Sequence, residues 1–378
     1  MGSPSDRAIL TSFGRPRAVL HIGPRNDVID AAAARIDARV VSTGEDAGSI
    51  GAHTQSFDLL TIEPTTSVTS ETLAVWSSCL TDGGHALIPY RPGTSPKDAF
   101  AQVRAGGLEA MRVDTGARFG QRFAARTGFV VVARKRPKPG PLSLTIGMLT
   151  LNEETSIERM IDEIRQYAPD AKLLIIDSSS DRTPELAIAK GARVIRQLPP
   201  RGHGPAMERL MYEAARDTEA LIYLDCDFTY PTDQIPRLRG LLEQGADMVN
   251  ASRTHSKPEA MPIPNFIANR VFAATAQIVH GIPTTDVHSG MRAYRSSMVR
   301  AFAFDGEGDA LPLDTLILPA RSNYDVIETP IPYHERVGES KLAKFRGTMW
   351  SFARIATAVG KGTRVRRGGS FRHLAADA

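Results

Sequence analysis

The sequence predicts an α/β protein built as two doubly wound domains, and three observations carry that prediction. Short apolar runs alternate with helical segments over residues 15–136 and again over 142–345. Several of these runs end in a glycine or a carboxylate, as strands do where an open sheet meets a ligand. Between the two regions lies Arg134-Lys135-Arg136-Pro137-Lys138-Pro139-Gly140-Pro141, whose three prolines and four basic residues forbid regular structure. The expected division is a domain at 1–136, a linker at 137–141, a second domain at 142–345 and a basic tail at 346–378.

At 378 residues the chain is long enough for two separate cores. Apolar residues make up 42% and charged residues 23%, a globular balance that excludes disordered and fibrous classes. Two cysteines, Cys79 and Cys226, supply neither a disulfide framework nor a zinc set, which fits a reducing cytosol. There is no signal-peptide core and no apolar run near a membrane-spanning length, so a cytoplasmic protein is expected. The net charge of +4 is uneven: Lys341 to His373 holds nine Lys or Arg and no acid. Such a tail suits an anionic membrane surface or a phosphate, so peripheral membrane contact is one expectation and a plainly solvated terminus the other. No aromatic-rich sheet motif or zinc finger accompanies the charge, and no nucleic-acid partner is expected.

In the first domain, Ala18 to Gly23 reads as a strand running into a glycine turn, Asp27 to Ile36 as a helix and Ala38 to Val41 as a second strand. Phe57 to Ile62 gives a third strand and Ser70 to Cys79 a helix. Leu80 to Ile88 makes a turn and strand, and Gly128 to Ala133 the closing strand. The order, with VLHIGP, FDLLTIEP and LTDGGHALIP, resembles the nucleotide-binding half of S-adenosylmethionine-dependent methyltransferases, a Rossmann-like fold. It departs from that family where the cofactor would bind. Gly23 is followed by the bulkier Pro24-Arg25-Asn26, and the second strand ends in Val41-Ser42-Thr43 without an acid for the ribose. A degenerate module is expected, used for packing, homodimer formation or partner contact.

In the second domain Leu142 to Leu149 is an apolar strand leading into Thr150-Leu151-Asn152-Glu153-Glu154. The helix that follows, Thr155 to Tyr167, places Ile157, Met160, Ile161 and Ile164 on one face. Leu173 to Asp177 is a buried strand tipped by an acid, and Thr183 and Pro184 provide an N-cap and a first helical residue after the turn. A strand at Ala192 to Ile195, the loop Pro199 to Gly204 and a helix through Met211 bring the chain to Leu221-Ile222-Tyr223-Leu224-Asp225-Cys226-Asp227. There an apolar run ends in two carboxylates one residue apart. Mg²⁺ and Mn²⁺ take oxygen ligands, and Mg²⁺ needs only one or two carboxylates when substrate phosphates complete its shell. The plain alternative is two solvated acids before Pro231.

The motifs LTLNEE, IIDSSSDRT, RGHG, YLDCDFTYP, VNASR, DVHSGMRAYR and YHERVGESKL occur in this order and resemble the family 2 glycosyltransferases of the GT-A fold. The dolichol-phosphate mannose synthase and polyprenyl-phosphate sugar transferase branch is the nearest match. The resemblance covers residues 142–345 and implies a hexosyltransferase using a nucleoside-diphosphate sugar and Mg²⁺ or Mn²⁺. It implies that Leu151 and Glu153 meet the nucleoside, Glu153 through the ribose. Asp177 would accept from the nucleobase, with Ser179 and Asp181 shaping that pocket; the alternative for Asp181 is a helix cap. His203, where the family usually carries lysine, and Gly204 would approach the donor. Asp225 would touch ribose or metal, and Asp227 would ligate the metal, with His288 a further candidate ligand.

On the acceptor side, Asp286 and Arg292 would bind hydroxyls or phosphate, or else Asp286 pairs internally with Arg292 or Arg295. Asp314, with Asp309 as its rival, would be the base that an acceptor hydroxyl needs; a phosphate acceptor needs none. Arg336 and Lys341 beside Gly338 suggest a phosphate-clamping lid. The expected reaction is metal-dependent, inverting transfer to a small soluble acceptor such as a nucleoside or secondary-metabolite intermediate. The alternatives are a polyprenyl-phosphate acceptor at the membrane surface and a bifunctional methyltransferase–glycosyltransferase.

Overall fold

The computed structural model describes residues 14–43, 55–64, 66–114, 128–304, 306, 311–335, 363–364 and 371–374. Asp309, Arg336 and Lys341 lie outside them. The chain forms two compact units, one of Met1–Lys138 with Ser297–Ala303 and Gly362–Arg366, the other of Pro139–Ser296 with Phe304–Lys361 and Arg367–Ala378.

The first unit is built on strands β1 (Ala18–Ile22), β2 (Arg39–Thr43), β3 (Phe57–Ile62), β4 (Leu80–Tyr90), β5 (Glu109–Asp114) and β6 (Phe129–Arg134). Helices α1 (Asp27–Ala34), α2 (Ser70–Ser78) and α3 (Pro96–Ala105) connect them. Each helix start carries the residue its backbone needs: Asn26 accepts from Val28 and Ile29, Thr69 closes a capping box with Thr72, and Ser95 precedes Pro96. The seven-stranded sheet runs β14-β5-β6-β4-β3-β1-β2, with β14 (Thr363–Arg364) at one edge. β1, β2, β3 and β4 are parallel and β6 runs against both β4 and β5. Strand alternation splits the core between the two faces. Leu20, Leu60 and Val131 pack with Trp76 and Leu73 of α2, while Val19, Leu59 and Val132 pack with Ile29 and Ala33 of α1.

The glycine turn after β1 is tightly filled. Gly23 has φ +139°, and a Cβ there would lie 2.5 Å from Glu63 Cβ. His21 bonds Thr61 Oγ1 at 3.0 Å beneath it.

The second unit holds β7 (Leu144–Thr150), β8 (Lys172–Asp177), β9 (Arg193–Arg196), β10 (Ala220–Leu224), β11 (Met248–Ser252), β12 (Met291–Arg295) and β13 (Val326–Pro330). With β15 (Arg372–His373) they form an eight-stranded sheet in the order β15-β13-β11-β12-β10-β7-β8-β9. β7, β8, β9 and β10 are parallel, β12 is antiparallel to β10 and β11, and β13 is parallel to β11. The parallel half brings Thr150, Asp177 and the residues after Leu224 to one carboxyl edge. The second unit's helices are α4 (Ile157–Tyr167), α5 (Thr183–Ala189), α6 (His203–Asp217), α7 (Ile235–Glu243), α8 (Ile263–His280) and α10 (Leu311–Arg321), while α9 (Ser296–Arg300) falls in the first unit from Ser297 on. The stripe Ile157, Met160, Ile161 and Ile164 is buried as its spacing predicts, against Ile146, Ile175 and Ile222. Thr183 differs from the sequence expectation: it opens α5 rather than capping it, because Asp181 accepts its amide at 3.0 Å.

His85 on β4 gives the first unit a measurable acid response. Burial, then the charges of Arg134 and Arg112, lower its pKa to about 3. The unfolded chain takes up a proton near pH 6.5 that the fold refuses, so stability falls as pH drops from 6.5 toward 3. In urea titrations at pH 6 to pH 4.5, His85→Gln should show a stability slope shallower than wild type by up to about 1.4 kcal/mol per pH unit. An unchanged slope would place the buried proton uptake elsewhere.

Candidate active site

The carboxyl edge of the second sheet gathers acids whose local turns hold them in place. Asp177, fully buried at the end of β8, accepts Thr150 Oγ1 and Ser179 Oγ, each at 2.6 Å, and lies 3.3 Å from Arg196 Nε. Ser179 Oγ in turn accepts the Asn152 amide at 2.7 Å, so the first and second strand tips are tied together. Asn152 adopts φ +56°, which turns the chain there and leaves Leu151 38% exposed at the edge. Glu153 accepts Ser156 Oγ at 3.3 Å and donates its amide to Thr183 Oγ1 at 2.8 Å. Asp181 accepts Thr183 Oγ1 at 2.5 Å; partial burial opposes its ionisation, yet the Thr183 and Glu154 donors hold its pKa below the usual value. The helix-cap alternative describes that contact set.

Asp227 is buried and accepts the Thr229 amide at 3.1 Å and its hydroxyl at 2.5 Å, across Phe228 at φ +60°. Asp225 takes its amide hydrogen bond to Gly290 O at 3.2 Å and accepts Tyr223 Oη at 2.6 Å. Gly290 is required here, since a Cβ would sit 2.1 Å from Asp225 Oδ2. His203, first residue of α6, places Nε2 3.2 Å from the same Tyr223 hydroxyl, and Gly204 is buried beside it.

The Asp286 cluster differs from its expectation. The partner of Asp286 is Arg253, which donates Nε at 2.7 Å, Nη2 at 2.9 Å and its amide at 3.1 Å. Burial would raise the Asp286 pKa, but the Arg253 charge and its hydrogen bonds outweigh that and lower it. Arg253 also donates to His288 O at 2.9 Å and lies 5.6 Å from the ring centres of both Tyr230 and Tyr333. Arg292, expected at an acceptor phosphate, is instead fully buried. It donates to Asn250 Oδ1 at 2.9 Å, Thr315 Oγ1 at 3.1 Å, Val287 O at 2.8 Å and Pro312 O. Arg295 bonds the carbonyls of Ala246 and Leu242, so neither arginine pairs with Asp286. Asp314 is also fully buried, in the first turn of α10.

Among the described residues no group of three or more His, Cys, Asp or Glu side chains could hold a metal by itself. Asp225, Asp227 and His288 are therefore no self-contained cage. The His288 ring packs edge-on against Phe272 of α8 at 4.9 Å, and burial lowers its pKa to about 4, with Asp286 opposing. Two carboxylates at one strand end still fit a hard cation that shares its shell with a diphosphate.

A family model described as Glycosyl transferase family 2 matches residues 145–302. A dolichyl-phosphate hexose transferase of Haloferax volcanii is 38% identical over 205 residues, covering 54% of this chain and 88% of that protein. The chain belongs to glycosyltransferase family 2. It is an enzyme of the hexosyltransferase class on a mixed α/β fold. An undecaprenyl-phosphate mannosyltransferase of Micrococcus luteus is 28% identical, covering 51% of this chain and 85% of that protein. The crystal structure of glucosyl-3-phosphoglycerate synthase from Mycobacterium tuberculosis with Mn²⁺, uridine diphosphate and glucosyl-3-phosphoglycerate aligns with a TM-score of 0.46 at 24% identity, over 58% of this chain and 80% of that one.

In this family 2 chain the sequence reading passed over Arg253, Tyr223, Tyr230 and Glu328. Glu328, buried on β13, accepts from Asn250, Thr284 and Thr285 at 2.5 to 2.9 Å and anchors the loop before Asp286. Arg253 had a signal, the arginine in VNASR one residue beyond a buried strand. Arg253→Met should cost about 3 kcal/mol in urea unfolding, because it leaves the Asp286 carboxylate buried without its cation. A loss under about 1 kcal/mol would show that the pair carries little of the edge's stability.

Proposed function

We propose that the chain transfers a hexose from a nucleoside-diphosphate sugar to a polyprenyl phosphate at a membrane surface. The observation that carries this reading is the likeness over 88% of a dolichyl-phosphate hexose transferase. The small soluble acceptor expected from the sequence gives way to it. A phosphate acceptor needs no general base, so this reading does not depend on the buried Asp314. A second support is the surface of α8, where Ile263, Ile267, Val271, Ile278 and Val279 are 42–84% exposed on a helix without Asp or Glu. An apolar helix face of this kind beds into the boundary of a bilayer, where such an acceptor resides. No helix among the described residues is long and apolar enough to cross a membrane.

In this reading Glu153, Asp177 and the Ser179 and Asp181 turns form the nucleoside pocket, and His203 and Gly204 border the diphosphate. Asp225 and Asp227 would hold Mg²⁺ or Mn²⁺, which when bound supplies positive charge against the negative charge of a nucleoside diphosphate. An acceptor phosphate oxygen attacks the anomeric carbon from the face opposite the leaving group. One C–O bond forms as the bond to the diphosphate breaks, and the configuration inverts. Arg336 and Lys341 would clamp the acceptor phosphate. The packed Gly23 turn favours a non-catalytic role for the first unit over a methyltransferase.

Calorimetric titration of UDP and GDP, each with Mn²⁺ and with EDTA, checks the donor site. One nucleotide should bind only with metal, and Asp227→Ala should weaken it about 100-fold, roughly 2.7 kcal/mol. Labelled hexose should then partition into the organic phase with polyprenyl phosphate in anionic vesicles. Ile267→Asp combined with Ile278→Asp should lower vesicle binding about tenfold while nucleotide binding stays. Transfer to water-soluble hydroxyl acceptors alone would refute the lipid assignment.

A further inference from the structure

We propose that Tyr223, backed by His203, is a positioning residue that sets the orientation of the Asp225 carboxylate for its cation and diphosphate. The inference rests on the donor-site reading above. Along β10, Ala220, Ile222 and Leu224 face the apolar cluster that includes Ile146 and Ile161. Tyr223 points the other way, as period-two alternation requires, and shares that direction with Asp225 two residues on. It is buried, and its hydroxyl donates to Asp225 Oδ1 at 2.6 Å. A phenol has one hydrogen. With that hydrogen committed to Asp225, the contact to His203 Nε2 at 3.2 Å places a hydrogen on the imidazole nitrogen, which donates to the phenol oxygen.

The two rings meet edge-on, with centroids 6.4 Å apart, so the imidazole approaches the hydroxyl from the rim rather than stacking over it. On its other flank Asp225 is confined by Gly290, where a Cβ would come within 2.1 Å of Oδ2, and the Gly290 amide is fixed by the Tyr230 hydroxyl at 2.5 Å. The carboxylate is thus held at one oxygen by a donor and at the other by backbone. A backbone–side-chain wall fixes where Asp225 cannot go, whereas the Tyr223 hydrogen bond fixes its rotation. His203 starts α6 directly after Gly202, in the loop that the donor-site reading sets beside the diphosphate. A displacement of that loop is passed to Asp225 through two hydrogen bonds, so donor binding and cation binding are coupled through side chains of this chain alone.

The test is Mn²⁺ binding at fixed saturating nucleotide, read by electron paramagnetic resonance of free Mn²⁺, with melting temperatures in parallel. Tyr223→Phe keeps the buried ring and should raise the half-saturating Mn²⁺ concentration about tenfold, the loss of one hydrogen bond to a charged group. His203→Phe should raise it about threefold, and His203→Gln, which retains an amide donor, should stay near wild type. At saturating nucleotide the double variant Tyr223→Phe with His203→Phe should hold Mn²⁺ no more weakly than Tyr223→Phe alone, because the link from the histidine to Asp225 runs through the phenol. Unchanged Mn²⁺ binding in Tyr223→Phe, or additive losses in the double variant, would overturn the relay while leaving the donor site standing. Wild type that binds no nucleotide with metal would overturn both readings.

Discussion

The second unit's ligand-facing edge depends on one buried ion pair, Arg253 with Asp286. Both groups are withdrawn from water, and the geometry is bidentate, with further donation from the Arg253 and His288 amides. Such a pair is stable only where nearly every remaining lone pair and proton is used. Arg253 therefore also holds His288 O and lies over Tyr230. Tyr230 accepts the Gly290 amide, and Gly290 abuts Asp225. The position of the first carboxylate of the Asp-x-Asp motif is thus inherited, contact by contact, from a pair distant in the sequence.

The acids at this edge follow a common local rule. Asp177 accepts from Ser179, Asp181 from Thr183, Asp227 from Thr229 and Asp286 from His288, each a bond to the residue two positions on. This is the turn that short acidic side chains favour, and it explains why strand tips here carry Asp rather than Glu. It pre-organises the pocket at the level of the backbone. Asp225 stands apart, because its phenol bond runs back to Tyr223 on the same face of the strand. Among these five acids it is the one whose orientation is set by a side chain on the strand itself.

Much of the fold was legible because strands and helices here obey simple periods. The apolar runs at Ala18, Phe57, Leu144 and Leu221 became buried parallel strands, and the α4 stripe faced the core. The placement of Asp177, Asp225 and Asp227 at strand ends was legible for the same reason, since a carboxylate after an apolar run has one place to go. Arg292, Asp314 and Arg253 were not. Each lies within or just beyond a regular element, where sequence shows the charge but not whether carbonyls or a counter-ion from another strand will satisfy it. Arg292 is consumed by Asn250, Thr315 and the carbonyls of Val287 and Pro312, a set from three separate segments that only the closed sheet assembles. Arg253 finds Asp286 across 33 residues.

This difference between the two halves of the site bears on its chemistry. The proposed donor half is made of strand tips, fixed by turns two residues long and by bonds between adjacent parallel strands. Arg292 and Asp314, expected on the acceptor side, are both interior, and Arg292 ties β12 to α10 through Thr315 and Pro312. An acceptor hydroxyl would demand a carboxylate held within hydrogen-bond reach of the attacking oxygen. A phosphate arrives already ionised and demands only cations to steer it. A family 2 enzyme whose interior takes up Asp314 can therefore still complete the reaction, provided the acceptor brings its own charge. An anionic lipid meets that condition, and the apolar face of α8 offers the surface on which it would be presented.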